Sequence, residues 1–154
     1  MEIKELNKRP NIEQTKKLTN KYVYFENLIN ELKKREIPSE VAKSINKNIE
    51  DINSFYGSNK DLLKQIRKSQ SYTYKLIEKE LKLVPKNLYR TRWLAIGMSA
   101  FGIPFGVVFG ASLDNMGYLG IGLPIGMAVG MVIGAGMDKK AFEEGRQLDL
   151  EYKQ

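Results

Sequence analysis

The stretch from Trp93 to Met137 carries a single charge, Asp114, and this limits the fold more than any other feature of the chain. Asp114 and Asn115 divide it into two uncharged runs, Trp93–Leu113 and Met116–Met137. As an α-helix rising about 1.5 Å per residue, each run spans roughly 32 Å, close to the ~30 Å hydrocarbon core of a bilayer. A core helix of a water-soluble protein carries polar residues every third or fourth position, and neither run does. The pattern predicts a transmembrane helical hairpin at residues 93–137.

Composition narrows the chemistry. The 154 residues include no cysteine and no histidine, so there is no thiolate, no disulfide framework and no imidazole base or ligand. No cluster of carboxylates, Lys or Tyr replaces them, so neither catalytic residues, nor a metal site, nor a cofactor, nor an enzyme is expected. The net charge of +7 is unevenly placed. Residues 1–57 carry a net +2, residues 58–92 a net +7 and residues 93–154 a net −2. The N-terminal MEIKELNKRP has no apolar secretory core and the C-terminal DLEYKQ no lipidation signal, so membrane attachment is expected to rest on the hairpin.

The first 92 residues read as a helical, basic cytoplasmic domain. After the polar residues 1–10 and Pro10, a helix is expected from Asn11 to Glu36. Its apolar positions Leu18, Tyr22, Phe25, Ile29 and Leu32 repeat at heptad spacing, with Thr15 extending the register weakly. That stripe faces either an intramolecular bundle core or a coiled-coil partner from another subunit. Ile37-Pro38-Ser39 separates it from a second helix, about Glu40–Tyr56, with Ser39 as its N-cap and Val41, Ile45, Ile49, Ile52 and Phe55 as its apolar side. A third helix is expected to start near Ser58 or Asn59, with Asp61 in its first turn, and to end or kink at Pro85. Its apolar stripe comprises Leu62, Leu63, Ile66, Thr73, Leu76, Ile77, Leu81 and Val84. The fold class is therefore all-α: a three-helix domain over 1–92, a membrane hairpin over 93–137 and a cytoplasmic tail over 138–154, loosely ordered or briefly extending the second membrane helix.

The flanks orient the hairpin. Lys86, Arg90 and Arg92 precede it, Lys139, Lys140 and Arg146 follow it, and the connection between the runs has no Lys or Arg. By the positive-inside rule both termini are cytoplasmic, in an inner or plasma membrane, and the Asp114-Asn115 turn faces outwards. Tyr89 and Trp93 suit the headgroup interface, beside cations that favour anionic lipid.

Eleven of the 13 glycines lie in this stretch. Gly102, Gly106 and Gly110 recur every fourth residue, as do Gly122, Gly126, Gly130 and Gly134, which aligns each set along one helix face. Lipid tails give helices no hydrophobic reason to associate, so close backbone approach at small residues must hold them together. The grooves serve the packing of one hairpin on itself, or packing between copies as well. Gly97, Gly117, Gly120 and Gly136 fall off both registers and leave small patches for such contacts. Pro104 and Pro124, inside the runs, are either static kinks or gating hinges. With no Glu, Lys or Arg buried in the spans, a proton relay or coupled transporter is not expected. In a ring of copies Asp114 would line the outer mouth of a pore, and Arg90 with Arg92 the inner mouth.

On the third helix, Lys64, Arg67, Lys68, Lys75 and Lys79 form a basic face. It is expected either to be simply solvated and drawn to lipid, or to bind an anionic nucleotide or oligonucleotide, with Tyr72 and Tyr74 stacking on bases. The motifs GIPFGVVFG and GIGLPIGMAVGMVIGAG resemble those of glycine-zipper two-span membrane proteins, which implies tight helix packing. The layout as a whole is similar to small membrane effectors of bacterial anti-phage systems, which implies an antiviral-defence pore controlled by a nucleotide-type signal. The expected function is thus a homo-oligomeric ion channel governed by a basic cytoplasmic domain. The alternatives are a membrane-anchored oligomeric scaffold and a holin-like pore former without a ligand.

Overall fold

A computed structural model describes residues 2–9 and 16–153, and the fold is mostly helical. The expected helix start between Asn11 and Thr15, and Pro10 before it, lie outside the described residues. The chain packs as two compact units, Met1–Val84 and Pro85–Gln154, so the division by packing precedes the hydropathy boundary at Trp93.

The first unit contains α1 (Lys16–Lys33), α2 (Ser39–Asn53) and α3 (Asn59–Leu81). Helix α3 packs on both α1 and α2. The heptad stripe of α1 is spent inside the chain: Leu18, Phe25, Leu28 and Leu32 are fully buried, and Tyr22 and Ile29 nearly so. The stripe is thus buried within the chain itself. Ile45, Ile49 and Ile52 of α2 and Ile66 and Ile77 of α3 complete the core. Burying each such side chain stabilises the fold by roughly 1.5–3 kcal/mol. Tyr74 belongs to this core, its hydroxyl sharing a hydrogen bond with that of Tyr24. Ser69 and Thr73 also face inwards, where neither hydroxyl has a hydrogen-bond partner among the described residues.

The helix ends follow local chemistry. Pro38, not Ser39, caps α2, and Ser39 is its first helical residue. At the start of α3 the Ser58 hydroxyl donates to the Asp61 carboxylate at 2.6 Å and accepts from the Asp61 N–H at 3.2 Å. Helix α3 stops before Pro85: Lys82 turns left-handed at φ 57°, and the Leu83 N–H reaches back to the Ile77 carbonyl. Residues 2–9 form no helix or strand and are tied to α1 and α2 by hydrogen bonds to Tyr22, Asn46 and Asn53, where the sequence suggested only a polar lead-in.

In the second unit, one helical run covers Leu88–Ser112: α4 (Leu88–Gly97), a π turn at Met98–Gly102 and α5 (Ile103–Ser112). A turn containing Asp114 (φ 47°) and Asn115 leads through a short 3-10 segment, Met116–Tyr118, into α6 (Leu119–Glu143). The two runs, Leu88–Ser112 and Met116–Glu143, are long and apolar enough to cross a membrane. The first begins five residues before Trp93 because Leu88–Arg92, polar as it is, takes helical geometry after Asn87 (φ 61°). The tail takes the second of its two expected forms, a brief extension of the second apolar helix, and then adds a strand that was not expected. Helix α6 continues to Glu143, Gly145 turns at φ 67°, and Gln147–Glu151 forms a strand, β2, that pairs with β1 (Val84–Lys86). The Tyr152 N–H donates to the Lys86 carbonyl at 2.8 Å, and Lys86 pairs with Asp149. The described residues are therefore helical with one small ladder of two strands, rather than purely α.

The Ser58 hydroxyl, and then Lys64, hold the Asp61 carboxyl below its ordinary 3.8. A depressed carboxyl stabilises the start of α3 above its unfolded value, and this contribution is lost as pH falls through the lower folded value. An NMR titration is expected to place the Asp61 midpoint below 3.8 in the full chain, and Ser58→Ala is expected to move it back towards that value.

Candidate functional site: the glycine seam and the basic face

A side chain on most of the aligned glycines would have nowhere to go. A Cβ on Gly122 would collide with the backbone of Gly102 and Gly106, at 2.6 Å from the Gly106 Cα. On Gly126 it would meet the Gly97 carbonyl and lie 2.5 Å from the Gly102 nitrogen. On Gly130 it would meet the carbonyl of Trp93, and on Gly134 it would lie 2.5 Å from the Arg90 Cα. From the other side, a Cβ on Gly106 would lie 2.5 Å from the Leu119 carbonyl oxygen, and one on Gly102 would lie 3.1 Å from that of Gly122. The two runs thus touch backbone to backbone, antiparallel, within one chain. Gly110 lies at the end of the seam, under Met116 and the turn.

Gly97 corrects the register assigned from sequence. Five residues separate it from Gly102, which on a regular α-helix moves it off the groove. The π turn absorbs the extra residue: the Ile103 N–H bonds to the Met98 carbonyl, five residues back. Gly97 then faces the α6 backbone, 2.9 Å from its Cβ position to the Gly130 Cα. It is a seam residue and not a patch for other copies. The wide turn ends just before Pro104, whose ring would press on the carbonyl four residues back in a regular helix. Gly117 packs beside the Asn115 side chain, whereas the Cβ positions of Gly120 and Gly136 have nothing within 4 Å.

Asp138 was missed in the sequence, although it continues the four-residue series after Gly122, Gly126, Gly130 and Gly134. It is 7% exposed, and its carboxylate accepts from the N–H groups of Tyr89 (3.2 Å) and Arg90 (2.9 Å) at the start of α4. A carboxylate there satisfies orphan amides and meets the positive end of the helix dipole. The seam therefore ends on a charge-assisted clasp between the two runs. The spacing to the glycines was the available signal, but an aspartate beside Lys139 and Lys140 reads as the polar edge of the span.

Of the predicted mouth residues, Arg90 meets the end of the seam through its main chain, against Gly134 and the Asp138 carboxylate. Asp114 and Arg90 are exposed and Arg92 is half-buried. Lys64, Arg67, Lys68, Lys75 and Lys79 are all exposed on α3. At about 100° per residue they fall within an arc of roughly 120°, opposite the buried Leu62, Ile66, Thr73 and Ile77. Lys64 pairs with Asp61 at 3.3 Å and Lys79 with Glu80 at 3.2 Å, while Arg67, Lys68 and Lys75 have no ion-pair partner among the described residues. Tyr72 lies exposed beside this face, but Tyr74 is in the core, so stacking on bases can involve only the former. A comparison with family models, curated proteins and solved structures finds no match.

Two consequences are measurable. Gly126→Ala is expected to destabilise the hairpin by about 1–3 kcal/mol through overpacking. Gly120→Ala, with open space around it, is expected to stay within about 1 kcal/mol of wild type or gain from helix propensity. Denaturant unfolding in detergent, followed by circular dichroism, separates the two. In the same assay Asp138→Ala is expected to cost about 1 kcal/mol, with Asp138→Asn retaining part of the cap.

Proposed function

We propose that the chain is a two-span membrane protein whose copies assemble into an ion-conducting pore, with the basic face of α3 as the cytoplasmic receptor for a polyanion. The observation that carries the reading is the outer surface of the hairpin. In each run only 22% of the most apolar window is buried, and Ile103, Val108, Ile121 and Val132 stand outwards. A core helix in water would be mostly buried, whereas an apolar exterior belongs in lipid. Positive flanks and a turn without Lys or Arg support cytoplasmic termini.

A seam closed backbone to backbone leaves no path through one copy, so conduction runs between copies, lined by apolar side chains and Ser99, which is exposed. Arg90 and Arg92 face the inner mouth and Asp114 the outer. Five exposed cations on one α3 face, spread over about 22 Å of helix, suit a nucleotide or short oligonucleotide better than a single small anion. The layout similar to anti-phage membrane effectors supports the same division into receptor and pore, as does the resemblance of the glycine motifs to two-span zipper proteins. A membrane-anchored scaffold is the second reading. It is favoured by one finding: the aligned glycines are used up inside the chain and so are not by themselves a reason for copies to associate.

Conductance of liposomes carrying the purified protein, with and without an added oligonucleotide, tests the proposal. Ligand-dependent current is expected, and Lys64→Glu with Arg67→Glu and Lys68→Glu is expected to weaken oligonucleotide binding at least tenfold. Silence from a protein that light scattering shows to be oligomeric leaves the scaffold, and a monomer in detergent removes the pore.

A further inference from the structure

The buried face of α3 changes character in its middle. Leu62 and Ile66 precede and Ile77 follows, but the four buried residues between them, Ser69, Gln70, Thr73 and Tyr74, all carry polar groups. Tyr74 has its partner in Tyr24. Ser69 is 1% and Thr73 0% exposed, and neither hydroxyl has a hydrogen-bond partner among the described residues. A hydroxyl buried in this way has lost its hydration without a replacement. Each one therefore favours a state in which this part of α3 has parted from its neighbours.

Two further features weaken the same turns. Residues 69–74 read SQSYTY, and Ser, Thr and Tyr rank below Leu, Lys and Gln as helix formers. The short hydroxyl side chains also compete for backbone groups. On the exposed side, Lys64 and Lys68 before the segment, and Lys75 and Lys79 after it, are like charges four residues apart, an arrangement that destabilises a helix. Arg67, Lys68 and Lys75 have no ion-pair partner among the described residues to relieve it. Weak propensity, orphan hydroxyls and repulsion thus coincide at the centre of a helix whose ends are both secured. Ser58 caps the start, and the left-handed Lys82 closes the finish.

We propose that Ser69–Tyr74 is a switch segment: it opens locally while the rest of α3 stays folded, and a polyanion lying across Arg67, Lys68 and Lys75 closes it by cancelling the repulsion. The closing half rests on the receptor reading above, and the opening half does not. Ordering the centre of α3 joins its two halves into one continuous helix, so the receptor registers its ligand as a change in the stiffness of a single element.

Hydrogen exchange of the full-length protein in detergent, followed by NMR and corrected for intrinsic rates, tests the switch. Without ligand, the amides of residues 70–74 are expected to exchange at least tenfold faster than those of residues 63–66 and 77–80. Ser69→Ala with Thr73→Val removes both orphan hydroxyls and is expected to slow the segment at least tenfold. Should that variant fold poorly, salt provides a second measurement. In about 1 M salt, where the screening length falls to about 3 Å, the wild-type segment is expected to slow at least threefold. A short oligothymidylate, its binding followed by fluorescence anisotropy, is expected to slow it at least tenfold. Uniform protection along α3 in the ligand-free protein overturns the switch. A fast segment that stays fast with the oligonucleotide bound overturns its closing by a polyanion. A fast segment in a protein that binds no oligonucleotide overturns the receptor reading and upholds the opening.

Discussion

Direct contact between two backbones, along the seam of Gly97, Gly102 and Gly106 against Gly122, Gly126, Gly130 and Gly134, is the constraint on which the second unit depends. In water each of these glycines would cost a helix about 1 kcal/mol relative to alanine. Between apolar helices the cost is offset, because only a missing Cβ allows main chains to meet and dispersion contacts to accumulate. The contact is also intolerant. At Gly122 or Gly126 the obstructing atoms are backbone, which cannot turn aside as a side chain would. Register must therefore be correct along the whole length, and the π turn at Met98–Gly102 provides it by absorbing the one residue that would carry Gly97 out of line.

The seam is fastened where its glycines end. Asp138 reaches the first amides of α4 from the next position of the same series, so one stripe on α6 supplies first close approach and then charge-assisted hydrogen bonds. At the opposite end, Asp114 takes a left-handed conformation, which Asp tolerates better than most residues, and the Asn115 side chain accepts from the Gly117 N–H. The first unit works by a different rule. Its core is ordinary apolar burial around α3, but its N-terminal segment is held by amide groups, ion pairs and a guanidinium cap. Tyr22, whose hydroxyl donates to the Asn7 carbonyl, links the segment to α1, and burial raises its pKa above the ordinary value.

Periodicity carried most of what could be read in advance. The three amphipathic helices, the two apolar runs and the turn at Asp114-Asn115 follow from spacing and charge, because burial on one helix face imposes a repeat that residues record one by one. The basic face of α3 was legible for the same reason, as the complement of its apolar stripe. Features without a repeat were not. Residues 2–9 show no helical or strand pattern, since their partners are two asparagines more than 40 positions away. Tyr74 and Tyr72 look alike in sequence, and only packing distinguishes the buried hydroxyl from the exposed one. The tail strand Gln147–Glu151 needs its neighbour β1 to exist at all.

By itself, the sequence determined that two uncharged runs are of bilayer length, that the glycines of each align along one helix face, and that the positive charge gathers on one helix ahead of them. These are properties of composition and spacing along a helix. The tertiary structure decided where the glycines point, which is into one chain's own seam, that Gly97 belongs with them, and that Asp138 closes the line. Those outcomes depend on a π turn and on the atoms facing each position, and no residue carries that information alone.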